Sequence, residues 1–165
     1  MRVWKFGDNI DTDAIIPGRF LILNDPADLA VHAFEGTCDA FAWQVKPGDI
    51  VVGGRNFGCG SSREHATLAL LGAGVRVIVA QSFARIFYRN AVNVGLLPLV
   101  CADADKIADG SRISVDLAGG IIRTDEATYR AEPVPSFLQA IIDAGGLVSY
   151  AKDVQEVPLC TGSHQ

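Results

Sequence analysis

The segment at residues 53–65, with the sequence GGRNFGCGSSREH, contains the side chains best suited to chemistry. Its glycines allow backbone amides to approach a bound anion closely, and the start of a helix offers unpaired N–H groups and the positive end of a dipole. Two hydroxyls, Ser61 and Ser62, precede Arg63, whose guanidinium can form two parallel hydrogen bonds to a carboxylate. These residues predict a site for a carboxylate or phosphate group.

The same segment also fits a purely structural interpretation. Ser61 followed by Glu64 matches a capping box, which begins a helix and needs no ligand. Capping does not require two adjacent hydroxyls, several glycines and an arginine, so both interpretations remain open. A P-loop is disfavoured because no lysine follows Gly58, and a nucleophile elbow is disfavoured because Arg63 stands where the Gly-x-Ser-x-Gly pattern requires glycine.

The cysteines and histidines do not suggest a metal site within this chain. The cysteines are widely spaced and include no C-x-x-C pair, and His32 and His65 have no partners at the spacing of metal ligands. We therefore expect free thiols and no metal, so that an iron-sulfur cluster, if required, would come from another chain. The cysteines concerned are Cys38, Cys59, Cys101 and Cys160.

Composition limits the class of protein. With 165 residues, 49% of them hydrophobic, the chain is long enough for one compact domain over residues 1–165. A formal net charge of −5 without a run of basic residues argues against a nucleic acid or a membrane as partner. The N-terminus has no signal-peptide pattern, and no apolar run approaches the ~18 residues of a spanning helix, so we expect a cytoplasmic protein.

The pattern along the chain predicts a mixed α/β fold. We expect a loop at residues 7–13 and a loosely held tail from about residue 152. Arg85 and Arg89 lie one turn apart on a predicted helix, where they face either an acidic partner or solvent. The predicted strands are residues 3–6, 50–52, 75–80 and 96–100, the predicted helices are 25–34, 63–71, 82–91 and 135–144, and residues 112–117 and 121–124 form a predicted hairpin.

Three segments resemble the small subunits of 3-isopropylmalate dehydratase. They are NIDTDAIIP at residues 9–17, NFGCGSSREHA at residues 56–66 and SFARIF at residues 82–87. The resemblance runs in order from about residue 5 to residue 100. Its most specific part, GSSREH, is shared with aconitase and homoaconitase.

The resemblance implies a three-layer β/β/α swivelling domain, as in the aconitase C-terminal domain. It also implies a partner, a large subunit whose cysteines hold a 4Fe-4S cluster that acts as a Lewis acid. The expected enzyme is a heteromeric hydro-lyase of leucine biosynthesis, inactive without the large subunit. It would isomerise 2-isopropylmalate and 3-isopropylmalate by dehydration and rehydration.

By the same resemblance, Ser61 is the catalytic base that removes and returns a proton next to a substrate carboxylate. Ser62 and Arg63 would contact substrate, Asp13 would support the site from the first loop, and Arg19 is a second possible carboxylate clamp. A serine hydroxyl is a poor base in water. Its alkoxide would therefore need stabilisation by backbone amides, the helix start and Arg63.

The apolar run Phe20-Leu21-Ile22-Leu23 is the expected selector of the substrate side group. The matching segment is apolar in isopropylmalate enzymes, whereas homoaconitase types carry an arginine where this chain has Ile22. An apolar Ile22 suits an isopropyl or methyl group and leaves an additional substrate carboxylate without a counter-charge. The alternative is that this run is an edge strand that fills the core.

Other functions remain open. The chain could be the small subunit of a homoaconitase or of a dimethylmalate dehydratase, or a non-catalytic module that binds anions. The combination of Asp13 with Ser61, Ser62 and Arg63 favours catalysis on a small hydroxy di- or tricarboxylate. The isolated chain could also self-associate through a surface meant for its partner.

Overall fold

A computed structural model describes residues 1–61 and 63–155 and contains two β-sheets. The parallel sheet has the order β1 (Val3–Lys5), β2 (Ile50–Gly53), β3 (Val77–Ala80) and β4 (Leu97–Val100). The antiparallel sheet consists of β5 (Ile113–Asp116), β6 (Ile121–Thr124) and β7 (Thr128–Arg130). The helices are α1 (Thr12–Ile15), α2 (Pro26–Ala30), α3 (Ala40–Gln44), α4 (His65–Gly72), α5 (Arg85–Asn93), α6 (Ser136–Asp143) and α7 (Leu147–Gln155), with 3₁₀ turns at Gly18–Phe20 and Ala104–Lys106.

The parallel sheet is the middle of three layers. Successive side chains of a strand point to opposite faces, and β2 shows this alternation clearly. Val51 packs into the core under the helices, which contains Leu70 of α4. Ile50 and Val52 face the other core, together with Ile122 of β6. This arrangement of sheet, sheet and helices confirms the β/β/α fold class.

The parallel strands bring the loops that follow them to one edge. β1 pairs with β2, β2 with β3 and β3 with β4, all in parallel. The carboxyl ends of parallel strands lie at the same edge of a sheet, which is where open α/β sheets bind ligands. β4 is an edge strand of this sheet, as Pro98 predicts, because proline cannot donate a ladder hydrogen bond.

Two predicted elements of the first fifty residues differ from the structure. Residues 7–13 are not all loop, because the Asp11 side chain accepts the Ala14 N–H at 2.6 Å and α1 begins at Thr12. The helix expected over residues 25–34 ends at Ala30. Phe34 has a left-handed φ of 58° and donates its N–H to the Ile15 carbonyl at 2.8 Å, so the chain cannot continue as a helix there.

The C-terminal third contains elements that the sequence pattern does not reveal. The predicted hairpin and the helix near residues 135–144 are confirmed as β5, β6 and α6, but β7 and α7 were missed. The tail expected from about residue 152 begins inside α7, and its remainder, residues 156–165 with Cys160, lies outside the described residues. None of the helices in the described ranges is both long enough and apolar enough to cross a membrane.

Candidate active site

Ser61 lies where three loops meet at the carboxyl edge of the parallel sheet. The loops after β1, β2 and β3 lie side by side in the same order as their strands. Parallel β-bridges join Asp11 to Cys59 and Phe57 to Phe83. The glycine-rich loop after β2 is therefore held on both sides. Ser61 itself is exposed at the end of this loop.

The glycine-rich loop has a backbone path that glycine alone can follow without strain. Gly58 has a φ of +77° and Gly60 a φ of +97°, both in a region that side chains disfavour. A Cβ atom built on Gly58 would lie 2.1 Å from Cγ of Phe87, which is buried against the loop. The close packing of α5 against the loop therefore requires a residue without a side chain at position 58.

The hydroxyl of Ser61 is held by Thr12. Ser61 Oγ lies 3.0 Å from Thr12 Oγ1, and the Ser61 N–H donates to the same Thr12 oxygen at 3.1 Å. Thr12 is 4% exposed, and its own N–H donates to the Cys59 carbonyl at 2.8 Å. The sequence does not single out Thr12, although Thr12 lies inside the NIDTDAIIP segment, because nothing in the local pattern shows which residue its hydroxyl contacts.

The capping box predicted for Ser61 and Glu64 is wrong. The N-cap of α4 is Glu64, without a side-chain capping bond, and the helix begins at His65 rather than at Arg63. The Thr67 hydroxyl instead donates to the Glu64 carbonyl at 2.7 Å. Ser61 is therefore not the helix cap, and its hydroxyl contacts the first loop.

The other residues expected to bind substrate are not all described. Ser62 lies outside the described residues, so its predicted contact stays a prediction. Arg63 is exposed beyond the end of the glycine-rich loop, and Asp13 is exposed in the first turn of α1, next to Thr12. Both positions leave these charged side chains accessible to a ligand.

Arg19 belongs to a separate polar cluster. Its guanidinium is bonded to Glu35 and lies over the Phe20 ring, 4.6 Å from the ring centroid. His32 Nδ1 lies 2.6 Å from Glu35 Oε2, and the His32 ring stacks on Phe20. The hydrogen bonds from His32 and Arg19 hold the pKa of Glu35 below its usual value. As a carboxylate clamp, Arg19 would have to exchange the Glu35 carboxylate for that of a ligand.

The apolar run at residues 20–23 forms turns rather than an edge strand, so that alternative is wrong. Phe20 ends a 3₁₀ turn, and its carbonyl accepts the Leu23 N–H at 3.0 Å. Phe20 and Leu23 pack against the core under the helices, and Leu21 is half-buried. Ile22 is 83% exposed, so of these four side chains it is the one directed to solvent. Ile22 is therefore the most accessible of the four to a ligand or a partner chain, while Phe20, Leu21 and Leu23 keep partial exposure and their contact with substrate stays a prediction.

Two arginines of α5 line the cleft that Ser61 also lines. Sequence reasoning left Arg85 and Arg89 undecided between an acidic partner and solvent. Neither forms a salt bridge with a residue of the described ranges. The cleft has a volume of about 450 Å³ and is lined by Asn56, Gly58, Gly60, Ser61, Ala84, Arg85, Ile86 and Arg89. It combines a hydroxyl, glycine backbone and positive charge, which suits an anionic ligand.

The described residues do not fit an iron-sulfur cluster. Nowhere in residues 1–61 and 63–155 do three or more His, Cys, Asp or Glu side chains form a group that could hold a metal ion. Cys38, Cys59 and Cys101 are free thiols, and burial raises the pKa of the Cys101 thiol. A thiolate is the form that binds iron, so a buried Cys101 is poorly suited to that role.

Named relatives are similar over nearly the whole chain. The 3-isopropylmalate dehydratase small subunit of Methanosarcina mazei is 56% identical over 92% of this chain and 94% of its own length. The 3-isopropylmalate dehydratase small subunit 1 of Archaeoglobus fulgidus is 52% identical over 94% of this chain and 98% of its own. The isopropylmalate/citramalate isomerase small subunit of Methanocaldococcus jannaschii is 50% identical over 92% of each chain.

The fold is similar to that of a solved structure. The crystal structure of 3-isopropylmalate dehydratase from Methanocaldococcus jannaschii matches with a TM-score of 0.89 and 46% sequence identity, over 93% of each chain. The aconitase C-terminal domain family matches residues 34–104, which include β2, the glycine-rich loop with Ser61, α4 and α5. The most specific sequence motif and the cleft thus lie within the matched domain.

Proposed function

Since this chain belongs to the family of 3-isopropylmalate dehydratase small subunits, we propose that it forms, with a large subunit, a hydro-lyase that interconverts 2-isopropylmalate and 3-isopropylmalate. The enzyme would serve leucine biosynthesis. The observation that carries this proposal is the buried Thr12 hydroxyl on Ser61, at a cleft that also presents arginines. This contact holds the Ser61 hydroxyl in a defined position at the cleft, as a catalytic base requires.

The proposed reaction begins with a proton transfer to Ser61. Its ionised Oγ takes the proton from the carbon next to a carboxylate, and the electron pair of that C–H bond forms a double bond. Hydroxide leaves the neighbouring carbon at the same time and takes a proton from a general acid of the complex, which regains that proton when water adds back. Addition of water with the two positions exchanged gives the isomer, and Ser61 returns its proton to carbon.

Binding of a dicarboxylate requires cations near Ser61. Arg63 lies two residues after Ser61 and can form a bidentate pair with one carboxylate. Arg85 and Arg89 would add positive charge at the cleft and attract the anionic substrate. In this proposal Ser62 and Asp13 complete the contacts, and Arg19 joins only if it leaves Glu35.

We assign the 4Fe-4S cluster to the large subunit, where it would supply Lewis-acid chemistry. The lack of a suitable ligand group in the described residues supports this division. The isolated chain should accordingly be colourless and bind no iron after anaerobic treatment with iron and sulfide. Stoichiometric iron-sulfur absorption by the chain alone would reject the division.

The substrate side group is proposed to contact Ile22. Its exposed aliphatic side chain can cover an isopropyl group and leaves no counter-charge for an additional carboxylate. The name of the Methanocaldococcus jannaschii relative adds citramalate, whose methyl group is smaller, as a second candidate substrate. Each methylene missing from an apolar contact costs only ~1–3 kcal/mol, and a methyl group has two carbons fewer than an isopropyl group, so we expect turnover of citramalate with a lower kcat/KM.

Reconstitution tests the proposed function. The purified chain is mixed anaerobically with its cluster-loaded large subunit, and the conversion of 2-isopropylmalate, 3-isopropylmalate and citramalate is followed. We expect turnover by the mixture and none by either subunit alone. A mixture that assembles, retains its cluster and converts none of these acids would reject the proposal.

A further inference from the structure

We propose that Thr12 is a positioning residue for Ser61, which fixes the Ser61 oxygen and donates a hydrogen bond to it when Ser61 is ionised. This inference rests on the proposed function, because it assigns Thr12 a part in the proton transfer by Ser61. Three observations carry it: the two contacts between these residues, the burial of Thr12, and the separate capping of α1 by Asp11.

The hydrogen-bond capacities of the two hydroxyls set the direction of the contact. A threonine hydroxyl has one proton to donate and two lone pairs that accept. One lone pair of Thr12 Oγ1 already accepts the Ser61 N–H at 3.1 Å. The second contact, at 3.0 Å to Ser61 Oγ, accommodates either donor while both groups are neutral. Once Ser61 has lost its proton, only Thr12 can donate.

Donation by Thr12 would lower the free energy of the ionised serine. A hydrogen bond to a charged oxygen is about twice as strong as one between neutral groups. Thr12 is 4% exposed, so water competes poorly for its hydroxyl. A hydrogen bond to the charged form lowers the pKa of the group that receives it. The contact would therefore make Ser61 a better base at a given pH.

The position of Thr12 is fixed independently of Ser61. Its N–H donates to the Cys59 carbonyl at 2.8 Å, and its carbonyl accepts the Ile16 N–H at 2.9 Å. A Cβ atom added at Gly60 would lie 3.2 Å from Thr12 Oγ1, so the loop packs closely against this oxygen. Because Asp11 supplies the cap of α1, the helix does not need the Thr12 hydroxyl.

Two substitutions of Thr12 and one control separate this role from packing. Thr12→Val keeps the shape and removes the hydroxyl, whereas Thr12→Ser keeps the hydroxyl and removes a methyl group. Thr67→Val is the matched control, because Thr67 is fully buried and its hydroxyl donates to Glu64 rather than to Ser61. Each variant is measured in the complex with the cluster-loaded large subunit.

We expect Thr12→Val to lower kcat about a hundred-fold, the usual effect of losing one donor to an ionised oxygen, with KM within about three-fold. The limb on which kcat rises with pH should move to higher pH, because the ionised serine loses its donor. Thr12→Ser and Thr67→Val should keep kcat and this limb close to wild type. A wild-type kcat and pH limb in Thr12→Val, or equal losses in Thr12→Ser and Thr12→Val, would overturn the inference.

A readout without turnover distinguishes failure of this inference from failure of the proposed function. The Ser61 amide should exchange with deuterium faster in Thr12→Val than in the wild-type chain, whereas Thr12→Ser and Thr67→Val should leave its exchange unchanged. Unchanged exchange in Thr12→Val would overturn the contact itself. A wild-type complex that shows protected Ser61 exchange but converts no substrate would reject the proposed function, and with it the catalytic role of Thr12.

Discussion

The side-chain oxygen of Ser61 lies 3.0 Å from the hydroxyl of Thr12, a residue 49 positions earlier in the chain. This contact joins the glycine-rich loop after β2 to the short helix α1 after β1. It leaves Ser61 exposed at the cleft while its hydroxyl and its amide are both bonded to one buried oxygen. The contact therefore explains how an exposed loop residue can keep a defined position.

Replacement of Ser61 by alanine should abolish turnover while the two subunits still assemble. The substitution removes the proposed base, and the loss of one partly exposed hydrogen bond costs only ~1 kcal/mol of folding free energy. Activity of the reconstituted complex, co-elution with the large subunit and thermal unfolding of the chain check this expectation. An assembled Ser61→Ala complex with near-normal kcat would show that Ser61 is not the catalytic base.

Arg63→Lys should raise KM roughly ten-fold, because an ammonium group cannot reproduce the two parallel hydrogen bonds of a guanidinium. Arg55→Lys is a suitable control, since Arg55 is exposed in the glycine-rich loop and its backbone N–H, not its side chain, donates a hydrogen bond to Asp8. The KM of each variant is measured by steady-state kinetics in the complex with the large subunit. Equal KM values for the two variants would argue against a carboxylate clamp at Arg63.

Ile22→Arg should shift the preference from isopropylmalate toward acids that carry an additional carboxylate. Ile22 is 83% exposed, so the substitution costs little stability and places a cation where the side group is proposed to lie. Val31→Arg serves as control because Val31 is also an exposed apolar residue, at 55%. The ratio of kcat/KM for isopropylmalate and homoaconitate measures the shift. A ratio that stays constant in Ile22→Arg would remove this residue as the selector.

Gly58→Ala should destabilise the chain more than Gly36→Ala does. Both glycines have a positive φ, so each substitution incurs the backbone strain of about 1 kcal/mol. A Cβ on Gly58 would in addition meet the Phe87 ring, at a further cost of roughly 1–3 kcal/mol, whereas nothing lies within 4 Å of one on Gly36. Denaturant unfolding of the two variants tests this difference, and equal losses would contradict the packing of Phe87 on the loop.

Asp49→Asn should destabilise the chain above about pH 4 by roughly 1–3 kcal/mol, since the substitution removes the buried charge and turns one of the two acceptor oxygens into a donor. Burial raises the pKa of Asp49, but hydrogen bonds from the Arg2 and Lys46 amides and from the Trp4 indole outweigh burial and hold it below its usual value. The carboxylate therefore stabilises the fold above its unfolded pKa, and this stabilisation is lost as pH falls through the lower folded pKa.

Unfolding free energies of wild type and Asp49→Asn, measured between pH 7 and pH 2, test this prediction. The two curves should lie apart near neutral pH and approach each other in acid. Asp125→Asn, at an exposed turn residue, should follow wild type throughout. A constant gap between wild type and Asp49→Asn down to pH 2 would exclude the ionised carboxylate as the source of the stability.

Much of the fold can be predicted from local patterns in the sequence. The apolar run at residues 50–52 predicts β2, Pro98 predicts an edge strand, and the glycines at 145 and 146 end α6 where expected. These features depend on the conformational preferences of single residues and on the spacing of apolar residues along short segments. Both can be read directly from the sequence. The elements that were missed, α1, α3, β7 and α7, are short or have weak patterns, and they are stabilised by capping or by contacts with other elements.

The candidate chemical groups likewise came from the sequence, since the glycine-rich segment with Arg63 predicted a carboxylate or phosphate site and the family resemblance implied a serine base at Ser61. Their partners were decided only by the tertiary structure. Glu64 at the right spacing predicted that Ser61 would cap α4, yet the Ser61 hydroxyl contacts Thr12, and Arg19 is bonded to Glu35 instead of standing free. A hydroxyl or a guanidinium bonds to whichever acceptor or donor the packed loops bring within about 3 Å, and a local pattern contains no information about residues that lie far away along the chain.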